Sequence, residues 1–305
     1  MCKQCKLNPV ITFPSNNIQL CKSCFIRYFE KKVRKTIRQY SLIEKNDKIL
    51  VACSGGKDST TLIYILHNLP IKMKIEAITV DSLIGDYTRK NIKNLEEFCK
   101  KNKIKLHIVS FKEEFGYSLC YMMARLKAKD KKCNSCSVCG VLRRYIINKK
   151  ARELRFNKVA TGHNLDDEAQ SFLMNVFKSD MKVTARLGPK TGIIKTKHFI
   201  PRIKPLYFLT ENETTIYSKL KGFKINYEKC PCSENVFRRE IETVLNKLEK
   251  NHPQIKYSIV NSFLEILPVI KEKYKTTQEI QICKKCKEPT SSVICNTCEI
   301  LERIR

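Results

Sequence analysis

The sequence predicts an α/β protein with a doubly wound, mainly parallel sheet, a small cysteine-rich knuckle at each terminus and a helical C-terminal segment. Three observations predict this architecture. Strand-like and helical stretches alternate between residues 48 and 177, pairs of Cys-x-x-Cys stand near both ends, and two long helical patterns occupy residues 234–250 and 256–274. Alternating strands and helices build a parallel sheet covered on both faces, with ligands bound beyond the carboxyl ends of its strands.

The alternating region contains four strand-like runs, each rich in apolar residues and bounded by polar or glycine-containing turns. They lie at residues 48–53, 74–80, 104–110 and 158–161. Helical spacing of apolar residues predicts helices at residues 60–68, 88–102, 141–154 and 165–177, and a basic helix at residues 25–39 before the first strand. Because helices separate the strands, we expect ligand-binding residues just after the strand ends.

The charge balance is the first indication of a partner. Lysine and arginine total 59 against 30 aspartate and glutamate residues, which gives a formal net charge of +29. Such an excess attracts polyanions, since each neutralised phosphate releases counterions, although a lysine-rich surface can also simply be solvated. The longest apolar runs have only strand length, and no signal-peptide pattern opens the chain. We expect a cytoplasmic protein with no membrane contact.

A glycine-rich segment follows the first strand and has the composition of a phosphate-binding loop: Ser54-Gly55-Gly56-Lys57-Asp58-Ser59. Its glycines let the backbone approach a phosphate closely, and the N–H groups of the loop and of the following helix supply positive potential. The two serines add hydroxyl donors. Asp58 has the wrong charge for phosphate, so we expect it to organise Mg²⁺ or to cap the loop. A glycine-rich turn without a ligand is the alternative.

The spacing of this loop differs from the Walker A pattern and resembles the Ser-Gly-Gly-x-Asp-Ser motif of the PP-loop ATP pyrophosphatases. Enzymes of that superfamily adenylate a carbonyl oxygen and release pyrophosphate. Two more segments would face the same site, residues 80–81 at a strand end and residues 161–168 at a strand-to-helix junction. A turn aspartate and an acidic helix N-terminus are their structural alternatives. The predicted ATP-binding residues are Ala52, Ser54, Gly55, Gly56, Lys57, Asp58, Ser59, Val80, Asp81, Gly162 and His163.

The 16 cysteines fall mostly into short spacings that indicate metal ligation rather than a secreted disulfide framework. Two sets have the spacing of four-cysteine zinc sites, Cys2-x₂-Cys5-x₁₅-Cys21-x₂-Cys24 and Cys283-x₂-Cys286-x₈-Cys295-x₂-Cys298. A bound metal can fold a segment that is too short to build its own core. We expect two Zn²⁺ ions with a structural role. A second role for the knuckles would be contact with RNA through the neighbouring lysines.

The central cysteines follow another pattern, with Cys133-x₂-Cys136-x₂-Cys139 placed just before the helix predicted at residues 141–154 and Cys230-Pro231-Cys232 much later. Three thiolates that leave one coordination position open suit a redox-active pair or a [4Fe–4S] cluster with a free iron. A structural zinc site fits the same spacing.

Together these segments resemble one family, the tRNA 2-thiouridine synthetases of the TtuA type and their wobble-uridine relatives in archaea and eukaryotes. The resemblance runs nearly end to end. It covers the first knuckle, the phosphate loop, residues 136–144 (Cys-Ser-Val-Cys-Gly-Val-Leu-Arg-Arg), residues 161–170 (Thr-Gly-His-Asn-Leu-Asp-Asp-Glu-Ala-Gln), the Cys-Pro at 230–231 and the second knuckle. It implies a tRNA sulfurtransferase that adenylates the C2 oxygen of a uridine with ATP and then replaces that oxygen by sulfur.

The resemblance also implies the cofactor and the sulfur source. The iron–sulfur ligands would be Cys136, Cys139 and Cys230, with Cys232 as the alternative third ligand and Cys133 as an extra upstream thiol that could substitute for one of them. A ubiquitin-like carrier ending in a thiocarboxylate would deliver the sulfur, and the protein would act as a homodimer. The positive charge then has a partner in tRNA.

Three residues are the predicted catalytic set. Asp58 belongs to the phosphate loop, and Asp167 matches the family's proposed catalytic acid. The family's lysine near the nucleotide falls on Arg143, which keeps the charge but does not readily act as a base. Residues 252–257 and 266–268 resemble the enzymes that modify the T-loop more than those that modify the wobble position, which favours a T-loop uridine.

We expect five parts along the chain: a zinc knuckle at 1–28, a basic helical linker at 29–47, a PP-loop catalytic domain at 48–225, a helical extension carrying Cys230 at 226–278, and a second knuckle at 279–305. The alternatives are a wobble-uridine thiolase, a PP-loop tRNA cytidine thiolase or lysidine-type ligase, and a non-catalytic zinc-knuckle RNA-binding protein. The intact phosphate loop argues against the last of these.

Overall fold

A computed structural model of the chain describes residues 1–130, 133–192, 199–233, 237–275 and 281–304. Within these ranges, no helix is long and apolar enough to cross a membrane. The first residues of the helix predicted at 234–250, and the boundary expected at 278/279, lie outside the described residues.

The N-terminal knuckle is a short antiparallel hairpin, β1 (Ile11–Thr12) and β2 (Gln19–Leu20), that leads directly into helix α1 (Lys22–Gln39). The helix buries Phe25, Phe29 and Val33, which stand four residues apart and therefore share one face. The ring of Phe29 stacks on that of Tyr217 with centroids 4.2 Å apart. The helix is thus continuous across residue 28, and its buried face joins the knuckle to the core of the main domain.

The central sheet has five parallel strands, which confirms the predicted architecture. The strands are β3 (Lys48–Ala52), β4 (Lys74–Asp81), β5 (Leu106–Ser110), β6 (Lys158–Thr161) and β7 (Arg202–Ile203). They lie in the order β5-β4-β3-β6-β7. Successive strands are therefore added on one side of β3 as far as β5 and then on its other side from β6 onward, so the strand order reverses between β3 and β6. In a doubly wound sheet this reversal opens a crevice at the strand ends, where ligands bind. The short strand β7 was not predicted.

Helices cover both faces of the sheet. They are α2 (Lys57–His67), α3 (Gly85–Lys101), α4 (Phe111–Phe115), α5 (Leu119–Lys129), α6 (Ser135–Glu153), α7 (Leu165–Phe177), α8 (Met181–Thr184) and α9 (Glu211–Leu220). Ile49 and Val51 belong to one hydrophobic cluster and Leu50 to another, because successive side chains of a strand point to opposite faces. Among the described residues, the sheet therefore has a hydrophobic core on each of its two faces.

The start of α6 differs from the prediction. The helix begins at Ser135, whereas the sequence pattern predicted residue 141 and placed the central cysteines before the helix. The side chain of Asn134 accepts a hydrogen bond from the N–H of Ser137 at 3.1 Å and so caps the helix early. Cys136 and Cys139 consequently lie inside the first turns of α6, on the same side of the helix.

The C-terminal part consists of α10 (Phe237–Asn251) and α11 (Ile255–Lys275), which pack on α7. A second hairpin, β8 (Gln281–Ile282) and β9 (Pro289–Thr290), leads to α12 (Asn296–Ile304). Helix α12 contacts α5 and α6. Its residue Ile304 is buried in the same core as Val138 and Leu142 of α6. The second knuckle is therefore attached to the helix that carries the central cysteines, and an ion pair between Arg152 and Glu288 adds a further contact.

Candidate active site and metal centres

The phosphate loop lies at the carboxyl end of β3, where the direction of the chain reverses across the sheet. Two glycines allow neighbouring backbone segments to come very close to each other at this loop. Gly55 has a φ of +78°, and a Cβ there would lie 2.5 Å from the carbonyl oxygen of Asn91. A Cβ on Gly162 would lie 2.9 Å from the backbone nitrogen of Ser59. Only glycine fits either position, so α3 and the turn after β6 close tightly around the loop.

The loop is shaped like an anion site. Ser59 Oγ accepts a hydrogen bond from the N–H of Ser54 at 3.2 Å and donates one to the carbonyl of Gly56 at 3.1 Å. Helix α2 begins after Gly56, and no side chain caps it in the described residues. The first N–H groups of α2 have no helical acceptors, so they and the helix dipole fit a nucleotide phosphate.

Lys57 and Asp58 form an ion pair next to this helix end. Lys57 Nζ lies 2.9 Å from Asp58 Oδ2 and 2.8 Å from Glu211 Oε1 on α9. Asp58 Oδ1 accepts a hydrogen bond from the side chain of Asn164 at 3.2 Å. Burial raises the pKa of Asp58 to about 6, against the attraction of Lys57 and with added repulsion from Asp167. Glu211 was missed by sequence reasoning, because 154 residues separate it from Lys57.

A narrow cleft of about 30 Å³ opens beside the loop, between the end of β4 and the first turns of α3. Ser54, Val80, Tyr87, Asn91 and Arg143 are among its lining residues. The predicted residues Ser54, Val80 and Arg143 are therefore brought together. Tyr87 and Asn91 were not predicted, although their place in the helix after β4 is where a doubly wound fold contributes ligand contacts.

One nitrogen of the Arg143 side chain has no hydrogen-bond partner among the described residues that surround this cleft. Its Nη2 donates to Ser82 Oγ at 3.0 Å, whereas its buried Nε has no partner among the described residues. A buried donor without an acceptor costs free energy, so the orphaned Nε fits an absent polar ligand. Asp81, by contrast, accepts a hydrogen bond from the N–H of Leu83 at 2.8 Å, as a turn residue does.

The turn after β6 places Asp167 next to the phosphate loop. Asp167 Oδ2 accepts the N–H of Asn164 at 3.1 Å in a reciprocal capping box, and its Oδ1 lies 3.0 Å from Arg238 Nη2. Both carboxylate oxygens are therefore engaged. His163 Nδ1 lies 2.9 Å from Thr161 Oγ1 at the exposed rim of the turn.

The other two acidic residues of this turn are buried and paired. Asp166 Oδ1 lies 2.5 Å from Lys256 Nζ, and Glu168 Oε1 lies 2.7 Å from Lys204 Nζ. Burial raises the pKa of Glu168, while Lys204 opposes that shift. Neither lysine stands in a sequence motif, and both were missed. These pairs fix α7 against α11 and the segment after β7, and so hold the turn at the phosphate loop.

We expect Lys204→Met to lower the free energy of unfolding by about 3–5 kcal/mol, because it leaves the carboxylate of Glu168 buried without a counter-charge. The side chains of Lys204 and Glu168 are only 6% and 2% exposed. Urea denaturation of the single variant and of Lys204→Met/Glu168→Gln measures the effect. The double variant should recover most of the loss, and equal losses in both would contradict the assignment.

The central cysteines converge at the amino end of α6. Helix α6 contacts the 3₁₀ turn Pro231–Ser233, and Cys136 Sγ lies 3.8 Å from the carbonyl oxygen of Cys232. Cys139, Cys230 and Cys232 pack against one hydrophobic core. Burial raises the pKa of Cys139, and the thiol of Cys230 raises it further, whereas Arg143 lowers it. The predicted cluster ligands are thus close enough for their charges to interact.

This geometry fits an iron–sulfur cluster better than a single zinc ion. The central thiols do not form a compact set of metal ligands within the described residues, unlike the two knuckles. A cubane binds each thiolate on a separate iron and therefore holds them farther apart than one zinc ion does. The amino end of α6 adds positive potential that favours the thiolate form, but burial outweighs it and raises the pKa of both Cys136 and Cys139.

The two predicted zinc sites are assembled in the structure. The four sulfur atoms of each knuckle lie within 4.8 Å of one another. In the first, Cys5 Sγ is 3.3 Å from Cys21 Sγ; in the second, Cys283 Sγ is 3.8 Å from Cys298 Sγ. Tetrahedral zinc with Zn–S bonds of about 2.3 Å requires sulfur atoms about 3.8 Å apart. The donor set and spacing fit a metal ion in each knuckle.

We expect Cys24→Ala to reduce the zinc content of the purified protein from two ions to one and to unfold the first knuckle, since folding of such segments depends on the metal. Elemental analysis measures zinc, and limited proteolysis reports the knuckle. Cys99→Ala is the control, because Cys99 is a buried thiol outside both sets. Retention of two zinc ions by Cys24→Ala would refute the site.

Comparison with known proteins agrees with this site. Residues 27–248 match the family described as the PP-loop domain. The chain is 36% identical to the tRNA-5-methyluridine(54) 2-sulfurtransferase of Pyrococcus horikoshii, over 98% of this chain and 92% of the relative. It is 32% identical to the cytoplasmic tRNA 2-thiolation protein 1 of Drosophila erecta, over 99% and 87%.

A solved structure extends the likeness to three dimensions. The U34-tRNA thiolase NcsA from Methanococcus maripaludis, determined with its [4Fe-4S] cluster, is 32% identical, with a TM-score of 0.83 over 99% of this chain and 95% of that one. Family, relatives and fold agree over almost the whole length. The chain belongs to the PP-loop family of tRNA 2-thiolation sulfurtransferases.

Proposed function

We propose that this protein uses ATP to adenylate the C2 oxygen of a tRNA uridine and then replaces that oxygen by sulfur. The observation that carries the proposal is the position of Arg143. Its side chain lines the cleft with Ser54 of the phosphate loop, and its charge acts on Cys139 of the central cysteine group. In this proposal the site that activates the oxygen and the site that supplies the sulfur meet at Arg143.

In this proposal the loop N–H groups and the amino end of α2 bind the phosphates, and Lys57 exchanges its carboxylate partners for them. Asp58, once released from Lys57, organises Mg²⁺. The orphaned Nε of Arg143 binds the negative charge that develops on the nucleotide. The C2 oxygen attacks the α-phosphorus of ATP and pyrophosphate leaves. Sulfur then attacks C2, and AMP departs with the former C2 oxygen.

We propose Cys136, Cys139 and Cys230 as the ligands of a [4Fe–4S] cluster, with Cys232 as the alternative third ligand. When bound, the cluster would supply an open iron that can carry sulfide. Cys136 is exposed and Cys139 and Cys230 are half-buried, so the site can be reached from solvent. Asp167 remains the proposed acid, and Arg238 must release it before it can transfer a proton.

Further parts of the proposal concern partners. We infer a ubiquitin-like thiocarboxylate carrier as sulfur donor, a homodimer, Zn²⁺ in both knuckles and a cytoplasmic location. We also retain the division of the chain into the five parts given above. The relative named for position 54 and the resemblance at residues 252–257 favour a T-loop uridine, while the U34 thiolase keeps the wobble position as the alternative.

Thiolation of tRNA by protein purified without oxygen tests the proposal. Iron and sulfide analysis should give a four-iron cluster, and 2-thiouridine should form only with ATP present. Mass spectrometry of digested tRNA from wild-type and deletion strains then identifies the modified position. Full retention of 2-thiouridine in the deletion strain would overturn the proposal, and loss at position 34 rather than 54 would overturn the T-loop assignment.

A further inference from the structure

We propose that the N-terminal knuckle and α11 form a second binding site, which holds an unpaired nucleotide of the tRNA away from the catalytic cleft. The inference rests on the proposed tRNA substrate. The site is a cavity of about 670 Å³ between the knuckle, α1 and the start of α11. This is within the range of small-ligand pockets and exceeds the volume of the cleft beside the phosphate loop.

The walls of the cavity are aromatic. Phe13, Tyr28 and Tyr257 line it, and all three are half-buried rather than closed into the core. The rings of Phe13 and Tyr28 meet edge to face with centroids 5.0 Å apart. Half-exposed aromatic rings stack on unpaired bases, and proteins that bind single-stranded RNA use this contact.

Exposed amides at the rim supply the hydrogen bonds that a base edge requires. Asn16 Oδ1 accepts the N–H of Ile18 at 3.1 Å, which orients the side chain and leaves its NH₂ group for a ligand. Gln254 stands at the start of α11 with a φ of +82°, an unfavourable conformation for any residue with a Cβ. Its exposed side chain is among those that line the cavity.

The charges of the cavity favour a nucleotide over a highly charged ligand. Lys32 Nζ is bound by Glu213 Oε1 at 3.0 Å and by the hydroxyl of Tyr257 at 2.6 Å, so its charge is compensated. Lys3 is exposed at the rim, and no acidic residue is among those that line the cavity. Lys3 can therefore bind one phosphate, while the aromatic rings and amides of the cavity bind one base.

Helix α9 joins this cavity to the phosphate loop. Glu213 in its first turn binds Lys32, and Glu211 in the same turn binds Lys57. The first turn of α9 therefore contacts both sites. A nucleotide held in the cavity would fix the tRNA at a set distance from the loop, so that a different nucleotide of the same molecule enters the catalytic cleft.

Two single variants test the site with little risk to folding. Gln254→Gly removes the amide and relieves the positive φ, and Lys3→Ala removes the rim cation. Each should raise the Kd for a tRNA transcript about tenfold while leaving the Kd for ATP unchanged. Lys35→Ala is the matched control, since it removes an exposed cation of α1 that does not line the cavity.

Ultraviolet crosslinking supplies an independent measurement. Irradiation of the complex with tRNA should attach a nucleotide to Phe13, Tyr28 or Tyr257, and mass spectrometry identifies the peptide. Unchanged tRNA affinity in both cavity variants, with no crosslink at these rings, would overturn the inference alone. Failure of the wild-type protein to bind tRNA would overturn the proposed function as well.

Discussion

Replacing Gly55 by alanine should weaken ATP binding and tRNA thiolation by about 100-fold or more. The added Cβ would lie 2.5 Å from the carbonyl oxygen of Asn91, and the φ of +78° disfavours any side chain. Neither the loop nor α3 can move without displacing groups that surround the phosphates. Isothermal titration with a non-hydrolysable ATP analogue measures binding, and formation of 2-thiouridine measures activity.

Gly116→Ala is a matched control for this variant. Gly116 has a φ of +84°, but a Cβ at this position would meet nothing within 4 Å. It should therefore lower stability by about 1–2 kcal/mol through backbone strain and leave ATP binding intact. If both variants bind ATP as the wild type does, the tight packing of α3 on the loop is not required for nucleotide binding.

Cys136→Ala should abolish both the iron content and the thiolation activity, and Cys230→Ala should do the same. Each removes one of the three proposed ligands, and we expect the two that remain to be too few to hold the cluster. The zinc content should not change, because the knuckle cysteines belong to separate sets. Iron and sulfide analysis, together with the visible absorption of the anaerobic protein, measures the loss.

Cys232→Ala distinguishes the two candidate third ligands. Cys230 and Cys232 are both half-buried beside α6, and Cys230 is the favoured ligand with Cys232 as its alternative. Cys232→Ala should therefore retain the cluster and most of the activity. Cys120→Ala is a further control, because it removes an exposed thiol of α5. A cluster lost in Cys232→Ala and kept in Cys230→Ala would reverse the assignment.

Much of the fold was predictable because its signals are local. The runs that became β3 and β6 are short, apolar and bounded by turns, and the helix predicted at residues 165–177 matches α7 from end to end. The glycine-rich loop and the cysteine spacings carry their chemistry in a few adjacent residues. The early start of α6 also had a local signal in Asn134, a good helix cap, which the apolar pattern alone did not show.

The rest of the site depends on contacts between residues far apart in the chain. Glu211 meets Lys57, and Lys204 meets Glu168, although no motif contains Glu211 or Lys204. The motif around Asp167 predicted a catalytic acid but gave no sign of its ion pair with Arg238, because Arg238 lies in the distant helix α10. Lysines and arginines are so numerous in this chain that composition could not show which of them are buried and paired.

The two carboxylates that bind Lys57 have a consequence for anion selectivity. A protein with a net charge of +29 attracts RNA phosphates over much of its surface, and an open phosphate loop would be one more place for them to bind. Here a single phosphodiester would have to displace both Asp58 and Glu211 from the lysine. In the proposed reaction a triphosphate accompanied by Mg²⁺ would do so, because the metal would offer Asp58 a new partner. Under that proposal the two ion pairs would favour the nucleotide over the phosphates of tRNA in the loop.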